Sequence, residues 1–123
     1  GKAMYRIKTT ELGTITVAKE TVEMLAGLAA MDCYGLVGMV AQDIQSGITS
    51  ILGIESIRKG VSVRSSENGL VVDVYVIVGY GVKIKEVANN VMQKVSYFLR
   101  NNAGLEVATV NVNVKGVRVL GEK

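Results

Sequence analysis

GVSVRSSENGLVVDVYVIVGYGVKIKEVANNVMQKVSYFLRNNAGLEVATVNVNVKGV, residues 60–117, carries the fold in almost unbroken sequence. Val61 and Val63 alternate with Ser62 and Arg64, as a strand with one wet face requires. Asn68-Gly69 tolerates positive φ and signals a hairpin turn. Leu70 to Val78 is apolar at nearly every position except Asp73 and Tyr75, which predicts a central strand covered on both faces. Ile84, Val87, Ala88, Val91, Met92, Val95, Phe98 and Leu99 then recur at helical spacing, opposite Asn89, Asn90, Gln93 and Arg100. A last strand puts Val110, Val112 and Val114 on one face. Its pattern then moves to Val117 and Val119, with Gly116 at the shift, which suggests a β-bulge or bend.

Working outward, Tyr5 to Lys8 reads as a short strand, and Glu11-Leu12-Gly13 as a turn before Ile15 and Val17. Val22, Leu25, Ala26 and Ala29 share one face of a helix spanning 18–30. Asp32 to Gly35 breaks it, and the apolar run Leu36 to Ala41 reads equally as strand or buried turn. Asp43 is placed to cap a short helix with Ile44, Ile48, Ile51 and Leu52 on one face, weakened by Gly47. The elements assemble into an α+β two-layer sandwich. Its sheet is mixed and mostly antiparallel, with a split β-α-β unit and two main helices.

Composition narrows the function. The 123 residues are 49% hydrophobic with formal charge +3, enough for one packed domain over residues 4–120 and too mildly basic to imply nucleic acid. Residues 1–3, ahead of Met4, read as a cloning remnant. There is no histidine, the commonest general base and transition-metal ligand, and Cys33 is the single cysteine. No apolar run approaches the ~20 residues of a membrane span, so the expectation is a soluble cytoplasmic domain with no cofactor and no metal.

Several groups could bind a partner. Gly79-Tyr80-Gly81 joins a strand to a helix start, with Lys83 and Lys85 just beyond; N–H groups, helix dipole and cations there suit a phosphate or carboxylate. The plain alternative is a tight turn with solvated lysines, since neither a Walker loop nor a full dinucleotide fingerprint is present. Arg58, Lys59, Arg64, Lys115 and Arg118 could gather along one edge or end of the sheet and meet an acidic partner, headgroups or RNA. They could equally guard that edge against aggregation. Ile48 and Ile51 offer an apolar anchor or simply close the core. Cys33 lacks a base to make it nucleophilic, and Asp73 with Tyr75 reads as a hydrogen-bonded structural pair. Asn111 and Asn113 share one face of the last strand, where they could hydrogen-bond across an interface.

Four ordered segments resemble the alkaline-shock, or Gls24-like, general stress family of mostly Gram-positive bacteria. They are Gly13-Thr14-Ile15 with Val22 and Ala26-Gly27-Leu28-Ala29-Ala30, then Tyr34-Gly35-Leu36-Val37-Gly38-Met39, then Lys59-Gly60-Val61 leading to Val72-Asp73-Val74-Tyr75-Val76. The fourth runs from Tyr80-Gly81 through Met92-Gln93 to Gly104-Leu105-Glu106-Val107, Val110-Asn111-Val112 and Lys115-Gly116-Val117. The chain departs from relatives in having no proline at Lys83 to Glu86. The resemblance implies no established catalysis and a part in cell-envelope homeostasis and stress. It also implies an adaptor or scaffold that meets a membrane-anchored protein or a fatty-acid metabolism enzyme, homo-oligomerisation being compatible. Alternatives of other classes are an RNA-binding module on the split β-α-β sheet and a sensor of small anionic ligands.

Overall fold

The computed structural model describes residues 4–10, 13–41 and 57–119, the first two strands by backbone alone as far as residue 16. Strands β1 (Met4–Thr10) and β2 (Gly13–Ala18) form an antiparallel pair. Helix α1 (Lys19–Met31) follows, then β3 (Leu36–Met39). A helical turn at 57–59 leads into β4 (Val61–Ser66) and β5 (Gly69–Gly79). Helix α2 (Ile84–Asn101) and β6 (Val107–Arg118) complete the chain.

β5 is the axis of the main sheet. Along one edge it pairs antiparallel with β4 from Gly69 to Val74 and with β3 from Val76 to Val78. The handover is at Tyr75, whose N–H donates to the Gly60 carbonyl at 2.9 Å and whose carbonyl accepts from the Val40 N–H at 3.1 Å. Along the other edge it pairs parallel with β6 from Leu70 to Gly79. The long apolar strand is thus central, as its composition demands. Because β5 and β6 are direct neighbours, the β-α-β unit is continuous, not split: no strand lies between the two that α2 connects.

Alternation along β5 defines the layers. Val72, Val74, Val76 and Val78 point toward the helices and are fully buried against Val22, Ala26 and Ala30 of α1 and Val91, Val95 and Leu99 of α2. Each such valine or leucine contributes about 1.5–3 kcal/mol by leaving water. The opposite face is only partly covered, contrary to the two-sided expectation: Val71 and Ile77 are buried, whereas Asp73 and Tyr75 are half-buried. Ile84 and Met92, expected in the core of α2, lie at its rim and are exposed. The run Leu36 to Ala41 resolves as strand for its first four residues, and Val114 to Gly116 carries the expected bulge. The expected helix of Ile44, Ile48, Ile51 and Leu52 lies outside the described residues.

The β4–β5 turn has Glu67 and Asn68 as its loop between the paired Ser66 and Gly69. Only Gly69 takes positive φ, at +123°, and a Cβ there would stand 2.8 Å from the Glu106 carbonyl oxygen leading into β6. Gly81, at φ +88°, has open space around it. Gly69→Ala therefore combines backbone strain with a clash, and a loss on the order of 3 kcal/mol is expected in urea unfolding. Gly81→Ala carries the left-handed cost alone, about 1 kcal/mol.

Candidate functional site

The end of β5 is tied down on both sides. Gly79 donates its N–H to the Gly35 carbonyl at 2.9 Å, and Tyr80 donates to the Arg118 carbonyl at 2.8 Å. The Val82 N–H closes back onto Gly79, and Lys83 stands as N-cap of α2 without a side-chain cap. Gly35, at φ +89°, lets the turn before β3 press against α2: a Cβ there would meet Val87 Cγ2 at 2.7 Å. That approach brings Tyr34 to the same place as Tyr80. The two tyrosines flank an open groove of about 350 Å³ whose lining includes Val82, Lys83, Glu86 and Val87. Tyr34 is 87% exposed and Tyr80 74%, although both stand on anchored backbone.

Sequence reasoning found Tyr80, Gly81 and Lys83 here but missed Tyr34. Its only signal was an exposed aromatic before a glycine, and its partner lies 46 positions away in the chain (80 − 34). Lys85 is exposed in the same helical turn. Glu86 also sits in that first turn and lines the groove, so a carboxylate already meets the positive end of the helix.

The remaining cations divide between two edges. Gly27 of α1 is packed so closely on the 57–59 turn that a Cβ would come within 2.4 Å of Ile57 Cγ2. This contact seats Arg58 beside Glu23, Nη1 to Oε1 3.7 Å. Arg58 and Lys59 line a second groove, of about 480 Å³, with Lys19, Glu23, Val61 and Ser62. Burial pushes the Glu23 carboxyl up, opposed by Lys19 and Arg58 and assisted by Glu20. Arg64 is exposed on β4, while Lys115 and Arg118 are exposed on β6, across β5. The expected gathering of the five along one edge or end is therefore corrected: strand order sends three to the β4 side and two to the β6 side. Arg64 lies opposite Val71, whereas Arg118 lies opposite Gly79, at the other end of β5. Lys83 and Arg118 do share the end of the sheet where β5 and β6 finish. Ile48 and Ile51 lie outside the described residues.

Other polar groups have structural partners. Asn111 Nδ2 donates to Asp73 Oδ1 at 2.9 Å, and Asn113 Nδ2 to the Val74 carbonyl at 3.3 Å. Burial, then the neighbouring Asp73, raises the Tyr75 hydroxyl pKa. Cys33 Sγ contacts the Ala29 carbonyl at 3.7 Å, and burial pushes its thiol up despite Lys94, which is the reverse of nucleophile activation. Among the described residues no group of acidic, histidine or cysteine side chains could hold a metal, and no helix is long and apolar enough to cross a membrane.

Lys94 Nζ donates to Asp32 Oδ2 at 2.6 Å, and this bond lowers the Asp32 pKa. A carboxyl depressed by folding adds stability above its unfolded pKa and loses it as pH falls through the folded pKa. Lys94→Ala is expected to raise Asp32 toward the ordinary aspartate value in an NMR titration. The stability difference between Lys94→Ala and the parent should close as pH drops through the Asp32 transition.

The model of the alkaline-shock protein 23 family, described by a cell envelope-related function, matches residues 7–119. The uncharacterized protein YloU of Bacillus subtilis is 47% identical over 111 residues, covering 89% of this chain and 92% of that protein. The uncharacterized protein Spy1614 of Streptococcus pyogenes serotype M6 is 37% identical over 114 residues, or 92% and 94% of the two chains. A stress response regulator gls24 homolog of Streptococcus pyogenes serotype M3 is 24% identical over 106 residues, 86% of this chain and 59% of that one. No solved structure matches.

Proposed function

The chain belongs to the alkaline-shock family, and from that membership we propose that it is a non-enzymatic cytoplasmic adaptor of the cell envelope and its stress response, acting by protein–protein contacts near the membrane. The observation that carries this reading is the groove between Tyr34 and Tyr80. Tyrosines with an adjacent cation are the residue types that anchor protein interfaces, because they bury large area at small conformational cost. Here they stand exposed on backbone fixed by hydrogen bonds to β3 and β6, beside Lys83. The partner class that fits is a protein segment with an acidic and apolar character. A membrane-anchored protein or an enzyme of fatty-acid metabolism would supply it.

The two other readings draw less support. RNA recognition on a sheet needs several aromatic platforms; the open face of this one has Tyr75 as its aromatic among the described residues, half-buried and beside the Asp73 carboxylate. An anion sensor at Gly79, Tyr80 and Gly81 would compete with Glu86 in the first turn of α2.

The test is co-purification from detergent-solubilised envelopes, with Tyr34→Ala/Tyr80→Ala beside the parent and folding matched by circular dichroism. An envelope protein retained by the parent is expected to fall at least about tenfold in the double variant, as loss of two aromatic anchors requires. Identical recovery from both proteins, or recovery of RNA without protein, would count against the adaptor reading.

A further inference from the structure

β6 is an edge strand: among the described residues it pairs only with β5. In a parallel ladder a residue bonds to the two neighbours of its partner, so alternate residues of the partner strand point away. The Glu106 carbonyl accepts from the Leu70 N–H and the Arg118 carbonyl from the Tyr80 N–H, so these point at β5. Val110, Val112, Val114 and Val117, the partners of Val72, Val74, Val76 and Val78, turn their backbone groups outward. Their side chains face the helix layer, shielded less and less toward the C-terminal end, from buried Val110 to Val117 at 51% exposure.

Two register shifts interrupt β6, leaving Ala108 and Lys115 as the extra residues. They lie on opposite sides of Val112. A two-fold axis through Val112 pairs Val110 with Val114 of a second copy, Thr109 with Lys115, Ala108 with Gly116, Val107 with Val117 and Glu106 with Arg118. Every outward-pointing residue then meets another outward-pointing one, each irregularity faces the other, and the acidic end of one strand meets the basic end of the next. A slip of two residues either way sets each irregularity against regular strand and moves Arg118 opposite Ala108 or Gly104. Arg100 Nη2 already donates to the Val107 carbonyl at 2.7 Å, so in the outermost pair, Val107 with Val117, that carbonyl is shared between Arg100 and the second copy.

The helices fit the same operation. Lys94 on one flank of α2 reaches Asp32 at the end of α1, and Met92, about 160° round the helix from Lys94, stands on the opposite flank, toward the β6 side. Ile84 and Met92 are 45% and 40% exposed. Two strands at about 4.8 Å spacing separate the two α2 helices by about 10 Å, the distance at which helices pack. The exposed flank of each helix would be covered by its mate.

We propose that the β6 edge is a self-association surface, joining two copies antiparallel about Val112 into one continuous sheet with Glu106 opposite Arg118. This goes beyond the adaptor reading and is independent of the tyrosine groove, which the two-fold leaves open at opposite ends of the pair.

The test is sedimentation velocity over a concentration series for the full chain and for Arg118→Glu, Glu106→Arg and the double exchange. The parent should form a dimer. Each single change puts like charges opposite at both ends of the ladder and should raise the dissociation constant by about tenfold, while the double exchange should restore it. A monomeric parent at every concentration would overturn the proposal. So would a dimer indifferent to both single changes, or a folded double exchange that fails to recover.

Discussion

The structure depends on β5 being hydrogen-bonded along both edges. Its odd-numbered residues face β4 and β3 and its even-numbered residues face β6, with Tyr75 serving both β4 and β3 at their junction. A strand so enclosed can be apolar almost throughout, because its backbone groups pair with neighbouring strands along both edges. The even-numbered valines then supply a flat surface on which both helices lie. α2 connects two adjacent parallel strands, so its position over the sheet is set by the same pairing that buries Val91, Val95 and Leu99.

Both proposed binding surfaces lie where this constraint relaxes. At the end of β5 the chain must leave the sheet and start a helix, and the turn at Gly35 packs against it closely enough to set Tyr34 opposite Tyr80. At the outer edge of β6 the pairing stops, leaving outward amides, half-shielded valines and the exposed flank of α2. The two places lie on different sides of one short element. An assembly through β6 would present two tyrosine grooves on one particle, and a bivalent particle gains effective concentration for any partner that repeats.

The residues that carry periodicity were legible before any coordinates. The hairpin at Asn68-Gly69, α2, the valine face of β6 and the irregularity at Gly116 follow from spacing alone, and so does the α+β class. Pairings between distant residues were not. Whether β5 and β6 touch or leave room for a strand is invisible in a helical repeat, so the unit reads as split until the register is seen. Strand order likewise decides that Arg58 and Lys115 face different edges, and no local pattern records it. Tyr34 escaped because its role comes from a contact between Gly35 and Val87, not from its neighbours in sequence. β3 was ambiguous because four residues with a glycine fit a strand and a buried turn equally.

The central claim is that β5 holds the domain through both edges as one cooperative unit. Native-state hydrogen exchange of the β5 amides tests it most directly, since sub-global opening separates units of different stability. The account predicts that amides facing β6, such as Leu70 and Tyr80, and amides facing the other edge, such as Tyr75 and Gly79, exchange only through global unfolding and with the same opening free energy. If either set opened at markedly lower free energy than the other, one edge would be peripheral and the account of the fold would be wrong.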